Sequence, residues 1–439
     1  QRYRWLSLVG DNVMHLPALL PEAPGWPRGL LFPGRKSPLP DRLYSNYRRL
    51  GFGASLLGSR FGWSEELIAG AIISTGHRFS ISDNPFKQIT VVNVQCSGDV
   101  IMPVSEKPAI AITMGDPCGI GPEVVVKALA DPSVYATCRP LVVGNIYAMQ
   151  RAVELTGIPL RINAPDDPAA AGQDPGVVDV LDINNLNPED ITVGEISPTC
   201  GKAAMEWVTK AGELALAGVV DGMATAPLNK EAASLAGYES IGHSELLQEL
   251  AGVKTVATML LAKNLRVVHL TTHRSLRLAC DYVKKDRILE FLQLTHDNFV
   301  TWGFKNPRIG AAALNPHNSD GGLLGSEEAE EIAPAVEDAR QRGIDVTGPV
   351  PADIIFHQAI QGRYDAVLCM FHDQGHIPVK VYGFEESITA NLGLPFVRTS
   401  VDHGTAFDIA GKGIADAFSM LESIRLAVGL AKGNGLADF

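Results

Sequence analysis

The chain has 439 residues, of which 46% are apolar and 20% charged, and its formal net charge is −12. This composition supports buried cores and excludes disorder along the whole length, and the length predicts two domains plus an extra segment. The acidic excess argues against nucleic acid or an anionic membrane as the main partner, and no apolar stretch reaches the roughly 18 residues of a transmembrane helix. Six cysteines without a CxxC pair favour reduced thiols in a cytoplasmic protein.

The first 101 residues differ in character from the rest. They carry 11 basic and 7 acidic side chains, and seven prolines lie between positions 17 and 40. Long helices and strands do not run through prolines at that spacing. At Met102 a short polar start precedes an apolar run, which is typical of a natural amino terminus. We predict that residues 1–101 are an extension upstream of the functional start, with a small additional domain or an oligomerisation arm as the alternative.

From residue 102 to residue 439, short apolar runs alternate with longer helical patterns, as in an α/β protein. We predict strands at 109–113, 140–143, 222–225, 255–261, 265–270, 308–313 and 364–371. We predict helices at 122–130, 202–216, 244–250, 286–301, 327–341 and 414–431. Several strands are apolar on both faces, so the sequence predicts a sheet that is covered on both sides.

Two glycine-rich segments are candidates for ligand binding. TMGDPCGIGPE (113–123) joins a predicted strand to a predicted helix, where glycines let a ligand approach the backbone and a helix amino terminus attracts anions. Its spacing differs from GxGxxG, so an ordinary turn is the alternative. In SVDHGTAFDIAGKGIAD (400–416) we expect the small residues to follow a flat ligand, with His403 and Asp408 placed to meet an adenine or a ribose.

Three of the eleven histidines lie beside predicted strand ends or turns: His243, His273 and His372. Three imidazoles with open positions suit a catalytic divalent ion, although each histidine alone is better explained as a buried or surface residue without a ligand. The pairs His269/His273 and His372/His376 have four-residue spacing, which brings two rings together only on a helix.

Charged side chains also occur in short polar motifs with apolar surroundings. Lys230, Lys380 and Arg398 offer the local positive charge that an acidic protein needs to bind an anion. Asp353 and Asp373 are carboxylates that can orient a histidine or complete a metal site. The alternative for each is a charge on a surface loop.

These motifs occur together in a known order. AIAITMGDPCGIGPE, ATAPLNKEA, GHSELL, TTHRSL, LNPHNSDGGLLGSEE, GPVPADIIF, MFHDQGHIPVK and GLPFVRTSVDHGTAFDIAGKG resemble the 4-hydroxythreonine-4-phosphate dehydrogenase family over residues 107–433, and nothing in residues 1–101 matches. The resemblance implies an α/β fold with two interleaved α/β domains around a central cleft. The last motif is similar to the nucleotide loop of isocitrate and isopropylmalate dehydrogenases.

The resemblance also implies a set of site residues. It implies that a divalent metal ion, zinc or alternatively cobalt, nickel, manganese or magnesium, binds at His243, His273 and His372. Substrate contacts are implied at Asn229, Lys230, Lys380, Thr389 and Arg398, although Thr389 stands where the family usually has asparagine. NAD contacts are expected at His403, Gly404, Asp408 and Gly411. Candidates for the general base are Lys230, Asp353 and Asp373. We expect a homodimer with shared active sites.

Within the family, TAPLNKEA and HDQGHIPVK resemble the branch that acts on D-threonate 4-phosphate and D-erythronate 4-phosphate. The vitamin B6 branch is expected to have histidine in place of Asn229 and HDQGLPVLK around His376. We therefore predict NAD-linked oxidative decarboxylation of a phosphorylated four-carbon sugar acid to dihydroxyacetone phosphate, carbon dioxide and NADH. The alternatives are 4-hydroxythreonine-4-phosphate dehydrogenase, a dihydrodiol dicarboxylate dehydrogenase and a non-catalytic metabolite-binding protein.

Overall fold

The computed structural model describes residues 107–434 except 166, 173, 240 and 241, together with the backbone of three short strands nearer the amino terminus. These strands are β1 (Val13–His15), β2 (Arg78–Ile81) and β3 (Ile89–Val92), and they form an antiparallel sheet in the order β1-β3-β2. The chain divides into two compact units, Gln1–Ser105 and Glu106–Phe439. This boundary falls four residues beyond the one predicted at residue 101. Most of the predicted extension lies outside the described residues.

The second unit contains one mixed sheet of twelve strands. The strands are β4 (Ala109–Thr113), β5 (Arg139–Val143), β6 (Arg161–Asn163), β7 (Val177–Leu181), β8 (Gly222–Thr225), β9 (Ala257–Ala262), β10 (Leu265–His269), β11 (Ile309–Ala312), β12 (Val346–Val350), β13 (Ala366–Cys369), β14 (Ile388–Leu392) and β15 (Val397–Val401). Their order is β12-β11-β13-β10-β9-β14-β15-β8-β4-β5-β7-β6. Pairing is parallel except at β10–β9, β9–β14 and β14–β15 in the centre.

Twelve α-helices are described in this unit. They are α1 (Gly121–Leu129), α2 (Pro132–Thr137), α3 (Ile146–Thr156), α4 (Pro198–Leu216), α5 (Lys230–Leu235), α6 (His243–Ala251), α7 (Leu276–Asp281), α8 (Lys285–Thr301), α9 (Ala333–Gln341), α10 (Ala352–Ile360), α11 (His372–Tyr382) and α12 (Phe418–Ala431). A π-helical turn at Glu328–Ile332 leads into α9. None of the described helices is both long and apolar enough to cross a membrane.

The hydrophobic cores follow the two halves of the sheet. One core surrounds β4, β5 and β8, and it includes Ile110, Leu141 and Trp207 of α4. A second core joins β9, β10 and β13 to α8, where Phe291 and Phe299 are buried. All five residues of β4 are buried, as expected for a strand with both faces covered. The predicted α/β class is confirmed.

Two helices beside the site differ from the prediction: α11 was not predicted, and α12 begins later than predicted. The segment HDQGHIPVKVY forms α11 although it contains Gly375 and Pro378, two residues that normally argue against a helix interior. At the other end of the chain, the predicted helix 414–431 begins only at Phe418. Gly411 and Gly413 have φ of +74° and +71°, a left-handed conformation that keeps the preceding segment a loop.

Candidate functional site

Arg398 is a buried cation in the middle of the sheet. Strand β15 lies between β14 and β8, so its guanidinium reaches a polar side chain from each neighbour. Nη1 donates to Asn391 Oδ1 at 2.7 Å, and Nη2 donates to Thr225 Oγ1 at 2.6 Å. Burial lowers the pKa of Arg398 to about 9, although the nearby Glu245 carboxylate acts in the opposite direction. Within the described residues Nε has no hydrogen-bond partner, so the group retains a donor for an anion.

Lys380 lies on α11 and is held by the segment that follows it. Its ammonium group forms an ion pair with Asp402 and donates to Ser387 Oγ at 2.9 Å. Ser387 Oγ in turn donates to Asp402 Oδ2 at 2.8 Å, and the Phe384 ring lies 4.9 Å from the ammonium. An anionic ligand at Lys380 therefore either displaces the Asp402 carboxylate from the ammonium group or binds the ammonium group beside it.

The three histidines predicted as metal ligands lie on different elements. His243 begins α6, and its Nε2 is buried without a hydrogen-bond partner in the described part of the chain. Burial, with Arg398 and Lys230 nearby, keeps the pKa of His243 well below its usual range. His273 follows β10, and partial desolvation together with Lys230 lowers its pKa. His372 begins α11, and its ring centroid is 6.1 Å from that of His273.

The donor set fits a divalent ion in its chemistry. Neutral imidazoles are the form that binds metal, and His243 offers a buried nitrogen with no partner among the described residues. His372 Nδ1 donates to Asp373 Oδ1 at 2.6 Å, which leaves Nε2 as its ligating atom. However, among residues 107–434 as described, no three histidine, cysteine or carboxylate side chains converge at metal-binding distance. The geometry therefore supplies suitable ligands without assembling them within one chain.

The two histidine pairs with four-residue spacing differ in whether both residues lie on one helix. His269 ends β10 and is followed by irregular backbone, so His269 and His273 do not share a helix. His372 and His376 do share α11, and their rings stack with centroids 3.6 Å apart and an interplanar angle of 12°. The His269 ring lies 4.5 Å from that of His376.

Gly375 allows α11 to approach β10 closely. A Cβ at this position meets His269 Nε2 and lies 2.6 Å from Cys369 Sγ. We therefore expect Gly375→Ala to lower the free energy of unfolding by about 1–3 kcal/mol through overpacking, measured by urea denaturation. Gly404→Ala is the control, because no atom lies within 4 Å of a Cβ there. Equal stability of the two variants would contradict this packing.

His269 makes the protein sensitive to acid. Burial lowers its pKa from 6.5 to about 3, so between these two pH values the ring binds a proton in the unfolded chain but not in the folded one. Stability from this group is therefore lost as the pH falls, by about 2 kcal/mol between about pH 7 and about pH 5. In His269→Asn the amide nitrogen replaces Nδ1, which lies 3.3 Å from Thr258 O, and we expect that part of the acid dependence to disappear. Urea denaturation at the two pH values measures it, and exposed His357→Asn should behave like the wild type.

The remaining predicted substrate residues lie at a helix start and on a central strand. Asn229 caps α5, with Oδ1 accepting from Ala232 N at 2.8 Å. Lys230 is exposed at the start of that helix. Thr389 lies on β14 two residues before Asn391, so the two side chains share a face of the strand. Asn391 is the residue of this strand that contacts Arg398, and only the strand pairing reveals this role.

The predicted carboxylates are placed differently from each other. Asp373 is exposed and accepts a hydrogen bond from His372. Asp353 is exposed in the first turn of α10. Sequence reasoning missed Asp116, which is fully buried after β4 and accepts from Cys118 N at 2.8 Å. Burial raises the pKa of Asp116 to about 6. Its position within the glycine-rich segment 113–123 was the sequence feature that could have indicated a functional role for it.

The two glycine-rich segments meet in space. Ile120 N donates to Thr405 O at 3.0 Å, which joins the turn before α1 to the predicted nucleotide loop. A cavity of about 90 Å³ lies between them, lined by Pro117, Gly119, Pro122, Glu123, Ala148, Arg151, Ala152, Leu155, Ile191, Val193 and Gly411. His403, Gly404 and Asp408 are exposed on the same loop.

The fold and this site define an α/β protein with a buried arginine in the middle of its sheet and several histidines nearby. A family model described as pyridoxal phosphate biosynthetic protein PdxA matches residues 136–427. A D-threonate 4-phosphate dehydrogenase of Cupriavidus necator is 46% identical over 325 residues, covering 74% of this chain and 97% of that protein. A 4-hydroxythreonine-4-phosphate dehydrogenase of Geobacter metallireducens is 46% identical over 329 residues, covering 75% and 97%.

A solved structure agrees with the sequence relatives. The crystal structure of 4-hydroxythreonine-4-phosphate dehydrogenase from Klebsiella pneumoniae is 42% identical, has a TM-score of 0.70 and covers 74% of this chain and 98% of that one. The chain belongs to the PdxA family. Because its relatives are named dehydrogenases, it is an oxidoreductase. Relatives with different substrates in their names are equally similar, so overall identity does not select between them.

Proposed function

We propose that the protein catalyses metal-dependent, NAD-linked oxidative decarboxylation of D-threonate 4-phosphate or D-erythronate 4-phosphate. The products are dihydroxyacetone phosphate, carbon dioxide and NADH. The observation that carries this proposal is Arg398, a buried guanidinium near His243 whose Nε has no partner among the described residues. A relative at 46% identity is named D-threonate 4-phosphate dehydrogenase, which supports the substrate class.

The substrate's charged groups are bound by Arg398 and Lys380. A guanidinium can form paired hydrogen bonds with phosphate or carboxylate oxygens, while an ammonium acts as a point charge. Asn391 and Thr225 hold Arg398 in one orientation, so little rotamer freedom is lost when the anion binds. Asn229 and Thr389 supply neutral contacts beside these cations.

A divalent ion bound by His243, His273 and His372 supplies Lewis acidity at the substrate oxygens, and zinc is our first choice. We assign Lys230, in its neutral amine form, as the base that accepts the proton of the hydroxyl group that is oxidised, because its side chain lies near His243 and His273. Asp373 instead orients His372 through Nδ1. Asp353 remains a less favoured base, since it is exposed at the start of α10.

The 400–416 segment binds NAD. Gly411 adopts φ of +74°, and a Cβ there lies 3.0 Å from Val193 Cγ1, so the loop is closely packed beside the cavity. His403, Gly404 and Asp408 are exposed and available to the nucleotide. The contact of Thr405 with Ile120 ties this loop to the amino terminus of α1, which suits a pyrophosphate.

A homodimer completes the site. Ile377 and Val381 lie one turn apart on α11 and are 59% and 83% exposed, and Phe384 is 71% exposed just beyond it. An apolar row of this kind beside functional residues is typical of an interface. A second copy that covers this row places its own α11 near the first site and can bring the separated histidines together.

Side-by-side assays test this proposal. The metal-loaded protein is given D-threonate 4-phosphate, D-erythronate 4-phosphate or 4-hydroxythreonine 4-phosphate with NAD, and NADH formation is followed with and without chelator. We expect chelator-sensitive turnover to be fastest on a sugar-acid phosphate. Fastest turnover of the amino substrate would assign the protein to the B6 branch, and no turnover of any of the three would overturn the proposed chemistry.

A further inference from the structure

His376 lies between two residues that the proposed function uses. The α-helix repeats nearly every four residues, so His372, His376 and Lys380 form one row along α11. His372 is a proposed metal ligand, and Lys380 is a proposed substrate contact. His376 has no role in the proposed reaction, yet it is half-buried in the middle of this row.

The contacts of His376 restrain its neighbour. Its ring stacks on that of His372 with centroids 3.6 Å apart and planes within 12° of parallel. Its Nδ1 lies 3.2 Å from His372 O. A carbonyl oxygen only accepts, so Nδ1 carries the hydrogen and anchors the ring to the helix backbone. The His376 ring is therefore fixed on the side of His372 that faces the next helical turn.

His269 supports this stack from the sheet. It is 1% exposed, its ring centroid is 4.5 Å from that of His376, and its Nδ1 lies 3.3 Å from Thr258 O. Gly375 provides the space for this approach, because a Cβ there meets the His269 ring. The position of His376 is thus set by the helix and by a buried residue of β10.

We propose that His376 is a positioning residue for His372. Stacking limits rotation of the His372 ring, and Asp373 fixes its Nδ1 hydrogen, so together they direct Nε2 toward a divalent ion. This inference rests on the proposed function, in which His372 binds the metal. It assigns His376 no contact with substrate.

Metal affinity is the direct test. Zinc binding to the purified full chain is measured by competition with a fluorescent chelator for the wild type, His376→Ala, His376→Phe and His357→Ala. Loss of a group that supports a metal ligand typically weakens binding by about 10–100-fold, and we expect this for His376→Ala. His376→Phe keeps an aromatic face against His372 and should stay close to the wild type. His357 is an exposed helical histidine on α10, so its replacement should change nothing.

A second measurement separates positioning from a structural or substrate role. In His376→Ala, saturating zinc should restore kcat with an unchanged KM for the sugar-acid phosphate. Circular dichroism shows whether His376→Ala folds. If it does not, the comparison of His376→Phe with His376→Gln replaces the comparison with His376→Ala. Wild-type zinc affinity in His376→Ala or His376→Gln, equal losses in His376→Phe and His376→Ala, or a raised KM at saturating zinc would each overturn the inference.

His372→Ala distinguishes this inference from the proposed function. If His372→Ala abolishes zinc binding while His376→Ala does not weaken it, only the positioning role fails. If His372→Ala binds zinc as the wild type does, the proposed metal site fails and the positioning role fails with it.

Discussion

Replacing Arg398 with methionine should lower kcat/KM for the phosphorylated substrate by about 1,000-fold, equivalent to about 4 kcal/mol of lost transition-state stabilisation. Methionine keeps much of the side-chain volume but removes the charge and the donors. Asn391 and Thr225 then lose their shared partner, and the anion loses its buried contact. Steady-state NADH formation measures the loss.

Two variants make this result specific. Arg398→Lys keeps a positive charge without the planar fork, so we expect an intermediate loss. Arg425→Met is the matched control, because Arg425 is 41% exposed and pairs with Glu422 and Asp131 away from the site. If Arg398→Met retained wild-type kcat/KM while remaining folded, Arg398 would not bind the substrate and the anion site would lie elsewhere.

Replacing His372 with alanine should remove tight binding of the divalent ion and, with it, turnover. The expected fall in metal affinity is at least about 100-fold, since a ligand costs more than a supporting residue. His296→Ala is a close control, because His296 Nδ1 also contacts the following aspartate, Asp297 Oδ1, at 3.2 Å but lies on α8. Isothermal titration with zinc measures both. Equal affinity of the two variants would contradict a metal role for His372.

Much of the fold was predictable because the apolar strands are short and bounded by turns. The range 109–113 matches β4, and 222–225 matches β8, since both runs are buried on both faces. Strands β14 and β15 were not predicted, because ITANL and VRTSV carry polar side chains in the middle of the sheet. Arg398 and its partner Asn391 are among those polar residues, so residues of the candidate site interrupt the apolar pattern here.

The candidate site was predictable in its residue types and not in its partnerships. A cation such as Lys380 was visible in the sequence, but its ion pair with Asp402 depends on how the chain returns after α11. Asn391 and Thr225 come from two different strands, and only the sheet order places them beside Arg398. The sequence showed His376 only through its four-residue spacing from His372. Its ring stacks on the His372 ring because α11 is helical despite Gly375.

Following the carboxyl carbon of the substrate tests the proposed reaction most directly. The metal-loaded protein is given D-threonate 4-phosphate labelled at the carboxyl carbon, and NADH and labelled carbon dioxide are measured together. The proposal predicts one labelled carbon dioxide for each NADH, with dihydroxyacetone phosphate as the other product. NADH formed while the label stays in a four-carbon product would contradict oxidative decarboxylation.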